Sequence, residues 1–168
     1  MTEDAPERPL DLLRLLEVLA RHRVQYLVIG GVAVQVHGHR RTTKDLDLVP
    51  SPEPDNIARL AAALEELQAQ VRGTPGAAVP LPPTDPERLG AASIVPALTT
   101  VHGEVHVFNE PKGAAPWADM RARALVVDLD GIEVAIVGLD DLLRMKQASG
   151  RPVDLEDIAV LTALETGD

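Results

Sequence analysis

The sequence predicts an α+β fold, a mixed β-sheet with helices packed on one face. Three observations predict it. Helical and period-two segments alternate through the first half of the chain. Two strand pairs with tight turns follow, and two helical segments close the sequence. A length of 168 residues suits one domain, and 45% hydrophobic with 25% charged residues is ordinary for a globular chain. One domain over residues 1–168 is therefore expected.

Residues 1–7 read as a flexible tail, acidic and polar rather than signal-like, which points to the cytoplasm. Pro9 to Arg21 places Leu12, Leu15, Leu16 and Leu19 at helical spacing, with Pro near the first turn. Gln25 to Ile29 is a short β-rich run that ends at Gly30-Gly31, and Val32 to Val36 continues as a short apolar helix. Asp45 to Val49 alternates acid and apolar residues with period two, and Pro50 stops it. Asp55 to Val71 is amphipathic and helical, with Ile57, Leu60, Ala61, Leu64 and Leu67 on one stripe. Gly73 to Glu87 carries five prolines and reads as an irregular loop. Val95 to Val101 and Glu104 to Phe108 form two strands about His102-Gly103. Trp117 to Ala124 is a short helix; Leu125 to Leu129 and Ile132 to Val137 flank the hairpin signal Asp130-Gly131. Gly138 to Ala148 and Val153 to Leu164 are helices separated by Gly150-Arg151-Pro152.

Composition removes several classes of function. There is no cysteine, which excludes disulfide scaffolds, thiolate zinc clusters and cysteine nucleophiles. The net charge of −10 argues against a general nucleic-acid binder. Only Tyr26, Phe108 and Trp117 are aromatic, too few for a base-stacking platform. No apolar run reaches the ~18–20 residues of a membrane span.

The informative stretch is Ile29 to Val49, IGGVAVQVHGHRRTTKDLDLV. Gly30 and Gly31 let backbone approach a ligand closely, and the helix that follows offers free N–H groups to phosphate; a tight strand-to-helix turn has the same signature. Asp45 and Asp47 lie two apart on a strand and share a face, while Leu46 and Leu48 point to the core. Carboxylates ~6.6 Å apart along one strand repel unless a cation lies between them. Such hard oxygen ligands suit Mg²⁺ or Mn²⁺, and a solvated strand face is the alternative. Arg40, Arg41 and Lys44 form a local basic cluster, for phosphate contact or for compensation of the nearby acids.

This stretch resembles the nucleotidyltransferase superfamily, the DNA polymerase beta-like proteins, and within it the bacterial AbiEii-type toxin group. The segment LDDLLRMKQASGRPVDLEDIAVL resembles the same group. The resemblance implies transfer of an NMP from an NTP to an acceptor hydroxyl on RNA, such as a tRNA end, on protein, or on a small molecule. It implies a metal at Asp45 and Asp47 and nucleotide contacts from Gly30, Gly31, Arg41, Lys44, Lys146, Arg151 and Asp154. Lys146 would meet the triphosphate, and a cognate antitoxin would be a partner. The family's third carboxylate falls where this chain has His106. Glu104 shares a face with His106 and is a candidate substitute; His106 could instead ligate metal or act as base. The rival reading is a nucleotide- or partner-binding module without turnover. His37 reads as either a site residue or a helix end, His22 as a cation at a helix C-terminus, and Trp117 as packing.

Overall fold

The structure, a computed structural model, describes residues 8–72, 85–93 and 95–167. Its elements are α1 (Leu12–Arg21), β1 (Tyr26–Ile29), α2 (Gly30–Val36), β2 (Asp45–Pro50), α3 (Pro54–Glu66), β3 (Gln70–Val71) and α4 (Pro86–Ala91). They continue as β4 (Leu98–Thr100), β5 (Gly103–Val107), α5 (Trp117–Ala122), β6 (Leu125–Leu129), β7 (Ile132–Ile136), α6 (Leu139–Ser149) and α7 (Pro152–Thr166). The expected tail at 1–7 and the part of the expected loop at 73–84 lie outside the described residues.

Local chemistry sets most of the boundaries. Asp11 caps α1 by accepting from Arg14 N, and Leu15, Leu16, Val18 and Leu19 are buried behind it. Asp130 and Gly131 both take positive φ, as a two-residue hairpin between β6 and β7 requires. Gly150, at φ 64, ends α6, and Pro152 opens α7.

The strands form one seven-stranded sheet in the order β3-β4-β5-β2-β1-β7-β6. β2 lies antiparallel to β1 and parallel to β5, and β1 is parallel to β7. The sheet is therefore mixed, as expected. Leu46, Leu48, Val105 and Val107 are 0–1% exposed and form the core side of its centre. Each such side chain contributes about 1.5–3 kcal/mol on leaving water. Helix α3 packs against β2 and also against α1 and α4. Asn56 on α3 is fully buried; it accepts from Gln25 N and donates to Gln25 O and Ser51 O, which fastens the helix to both strand ends.

Four expected boundaries are corrected. Helix α3 ends at Glu66 rather than at Val71, because Gln68 turns left-handed at φ 53 and Gln70-Val71 pair with β4. Residues 85–87 are not irregular, since Asp85 accepts from Glu87 N and starts α4 with Pro86 in its first turn. Helix α2 begins at Gly30, two residues before the expected Val32. The strand expected over Val95–Val101 is confined to Leu98–Thr100, following Pro96.

Candidate active site

The sheet centre builds the site. The parallel register of β2 and β5 sets Asp45 beside Glu104 and Asp47 beside His106. With period-two alternation, all four side chains leave the sheet on the face opposite Leu46 and Leu48. The donor atoms of Asp45, Glu104 and His106 lie within 4.8 Å of one another. The structure thus sets the Asp45/Asp47 strand directly beside the Glu104/His106 strand.

His106 occupies the middle of the acids. Its Nε2 is 3.3 Å from Glu104 Oε2 and 3.7 Å from Asp45 Oδ2. Its Nδ1 is 3.2 Å from Asp47 Oδ1. That last contact has ion-pair length but not hydrogen-bond alignment, so Asp47 Oδ1 is a buried carboxylate oxygen with no hydrogen-bond partner among the described residues. The Asp47 carboxylate, against the opposing effect of burial, pushes the His106 imidazolium up to about 9. Burial, followed by the charge of Asp47, raises Asp45 above the usual carboxylate range. Arg72, absent from the sequence reading, pairs with Glu104 at 3.1 Å.

Gly30 and Gly31 open α2 directly against this strand. A Cβ on Gly30 would lie 2.0 Å from Asp47 Oδ2, and Gly30 has φ +64. A Cβ on Gly31 would lie 2.5 Å from Thr43 Oγ1. The close approach that these glycines permit is therefore to Asp47 and Thr43.

The C-terminal helices bring a second group of charges. Lys146, expected at a triphosphate, is 5% exposed and lies 3.0 Å from Asp154 Oδ1 and 2.9 Å from Asp157 Oδ2. Arg41 forms a two-pronged pair with Asp157, at 2.7 and 2.9 Å. Arg151 grips Asp154 at 2.8 and 3.2 Å, and Asp154 in turn accepts from Arg151 N at the start of α7. The Arg151 side chain is 66% exposed and its charge is felt at Asp47 and Asp45. It is a solvent-facing cation of this corner. Burial would raise Asp154, but hydrogen bonds from Arg151 and Lys146 outweigh it and hold the acid well below the usual range. Asp157 is lowered in the same way, burial being outweighed by Arg41 and Lys146. Lys44 is exposed just ahead of β2.

Asp157 was missed by the sequence reading. Its signal was the three-residue spacing from Asp154, which puts both acids on one helix face together with Leu161, buried between α7 and its neighbours. The remaining candidates take structural places. His37 Nε2 donates to Val137 O, His22 approaches Glu66, and Trp117 Nε1 donates to Val49 O.

The shifts predict a pH profile for the metal-free protein. His106 is raised, so its contribution is complete below pH 6.5 and lost as pH climbs through about 9. Asp154 and Asp157 are lowered, so theirs is present above pH 3.8 and lost as pH falls. Asp45 is raised and opposes this acid loss, but it is half-buried against two fully buried acids. Urea midpoints measured in chelator from about pH 3 to about pH 10 should form a plateau between roughly pH 4 and 6.5. The alkaline loss should be about 1–2 kcal/mol, reduced by the solvent screening of a side chain one-quarter exposed. A midpoint that rises from pH 6.5 to 9 would contradict the imidazolium.

A family profile described as "Nucleotidyltransferase of unknown function (DUF6036)" matches residues 10–165, and the chain belongs to that family. No curated protein matches the sequence. Solved structures with a similar fold include the lincosamide antibiotic adenylyltransferase LnuA in lincomycin-bound form, 16% identical, with 90% of this chain and 94% of that chain covered and a TM-score of 0.57. ANT(2'')-Ia in complex with adenylyl-2''-tobramycin is 13% identical over 92% of this chain and 87% of that chain, with a TM-score of 0.56. An antigenic nucleotidyltransferase-like protein from Paracoccidioides brasiliensis is 19% identical over 93% and 78%, also at 0.56. At these identities the likeness shows the fold. No helix among the described residues is long and apolar enough to cross a membrane.

Proposed function

We propose that the chain is a metal-dependent nucleotidyltransferase that moves an NMP from an NTP to an acceptor hydroxyl and releases pyrophosphate. The observation that carries this reading is the convergence of Asp45, Asp47 and Glu104 on one sheet face, with Asp47 Oδ1 buried and lacking a hydrogen-bond partner among the described residues. A hard divalent cation such as Mg²⁺ or Mn²⁺ fits this donor set, because two aspartates and a glutamate supply oxygen ligands that otherwise repel. Asp45 and Asp47 would hold the ion, with Glu104 standing in for the family's third carboxylate. When bound, the metal withdraws charge from the phosphates and orients them for in-line attack.

The protein's own groups do the rest. Arg151, exposed and close in charge to Asp45 and Asp47, balances the triphosphate. Gly30 keeps Asp47 seated at the head of α2. His106 Nε2, in its neutral form, would take the proton of the acceptor hydroxyl. The acceptor oxygen then bonds to the α-phosphorus while the bond to pyrophosphate breaks, and pyrophosphate leaves with the electron pair.

A small-molecule acceptor fits best, since a net charge of −10 disfavours a long RNA. Two structural neighbours are described with antibiotics as ligand or adenylylated product. An AbiEii-type toxin role with a cognate antitoxin rests on the two sequence blocks, and label on a tRNA end or a protein would favour it. One observation favours a second reading, a binding module without turnover: the protonated His106 already supplies a cation among the acids.

The test is a labelling assay. Purified protein is incubated with each α-labelled NTP in turn, Mg²⁺ or Mn²⁺, total RNA and a small-molecule and protein extract. Label on one acceptor class is the expected result. Nucleotide binding without label under either metal would overturn the transferase reading in favour of the binding module.

A further inference from the structure

Asp157 is a buried acid that several groups engage, and nothing in the catalytic scheme uses it. Its side chain is fully buried on α7. Both oxygens accept from Arg41, through Nε and Nη2. Lys146 Nζ lies 2.9 Å from Oδ2 and His39 Nδ1 3.2 Å from Oδ1. Three cationic or titratable groups from two separate parts of the chain thus meet on one carboxylate. A buried carboxylate is costly unless it is paired and hydrogen-bonded, and here one acid gathers α6, α7 and the segment at 39–44.

The contacts continue toward the acids on β2. Arg41 has a third hydrogen bond, from Nη1 to Thr42 O at 3.1 Å. The next residue, Thr43, donates through Oγ1 to Asp45 O at 3.3 Å and fills the space beside Gly31. Gln35 Nε2 donates to Arg41 O and ties the same segment to α2. The path from Asp157 to Asp45 runs through Arg41, Thr42 and Thr43, with Gly31 packed against it. The guanidinium is planar and its fork matches a carboxylate, so the pair fixes orientation as well as distance.

We propose that Asp157 is a positioning residue, which locks the 39–44 segment to the C-terminal helices through Arg41 and so holds Asp45 and Asp47 at the head of α2. It also fixes Lys146, which leaves Arg151 as the cation that meets phosphate. The consequence for nucleotide binding rests on the nucleotidyl-transfer reading, whereas the lock itself does not.

The experiment compares the wild-type chain with Asp157→Asn and Arg41→Gln by hydrogen exchange and by titration with each of the four Mg²⁺–NTPs. Asp157→Asn leaves the buried Lys146 and the partly buried Arg41 facing a neutral amide; Arg41→Gln, at a side chain 24% exposed, is the milder variant should the first fail to fold. Amides of residues 39–44 should exchange at least about tenfold faster in either variant, with α3 and β5 unchanged. Affinity for the nucleotide that the wild type binds should fall at least about tenfold, and the double variant should be no worse than the poorer single one. Unchanged exchange at 39–44 in a folded variant would overturn the lock. Faster exchange with unchanged nucleotide affinity would overturn the positioning role and leave Asp157 a structural anchor. Wild-type protein that binds no NTP would sink the nucleotidyl-transfer reading, while faster exchange in the variants would still uphold the lock.

Discussion

Replacement of Asp45 and Asp47 by alanine should abolish label transfer, by about a thousandfold or more, and leave a folded protein. The size follows from the several kcal/mol of charge stabilisation that a catalytic cation supplies, each ~1.4 kcal/mol being tenfold in rate. The folded outcome follows from position. Both side chains leave the sheet away from Leu46 and Leu48, which carry the core contacts of β2. Removal of Asp45 also relieves its repulsion by Asp47 and Glu104, so stability should hold or rise slightly. Removal of Asp47 takes away the nearest partner of the His106 imidazolium and should cost a little. Calorimetric titration with Mn²⁺ would show whether metal affinity is lost in parallel. Full transfer activity in the double variant would place the chemistry elsewhere in the molecule.

The second large effect is expected at Gly30. Alanine there meets two obstacles, a left-handed backbone at φ +64 and the Asp47 side chain, whose Cβ would be 2.9 Å from the new methyl group. The carboxylate end can rotate aside, but Asp47 Cβ is fixed to β2, so the strand itself must yield. Gly131 supplies the control, because it has φ +86 and no atom within 4 Å of a new Cβ. Gly131→Ala should cost about 1–2 kcal/mol from backbone conformation alone. Gly30→Ala should cost that and about 1–3 kcal/mol more from overpacking, with transfer lost as Asp47 moves. Urea unfolding of the two variants separates the terms. Equal stability of the pair, with transfer intact in Gly30→Ala, would show that Gly30 does not seat Asp47.

Much of the sheet was legible because its residues follow rules that the sequence displays. The Asp-Leu-Asp-Leu alternation fixed which side of β2 faces the core, and Asp130-Gly131 carried its own turn. The end of α3 was not legible. Apolar spacing runs on through Leu67, and the left-handed residue that stops the helix is Gln68, a type with no preference for that conformation. The pairing of Asp45 with Glu104 could be anticipated from the shared face on each strand, but the parallel register that makes them neighbours is a property of the whole sheet. Asp157, despite its spacing from Asp154, was overlooked for a different reason. Helix α7 buries Asp154 and Asp157 and turns Leu155 and Leu164 outward, at 55% and 52% exposure. Amphipathic logic assumes the reverse, and only the arrival of Arg41 and Lys146 makes acids the inward residues.

Arg41 and Asp157 are 116 residues apart in sequence, and β1 joins its parallel neighbour β7 from the far half of the chain. Such distant partners delay assembly, since the long intervening stretch must be ordered before either contact forms. During synthesis, Asp45 and Asp47 on β2 are made well before α7. A nascent chain on the ribosome therefore carries the acids without the geometry that organises them. The surroundings of these two acids are complete only once α7 has been made and has packed against Arg41 and Lys146.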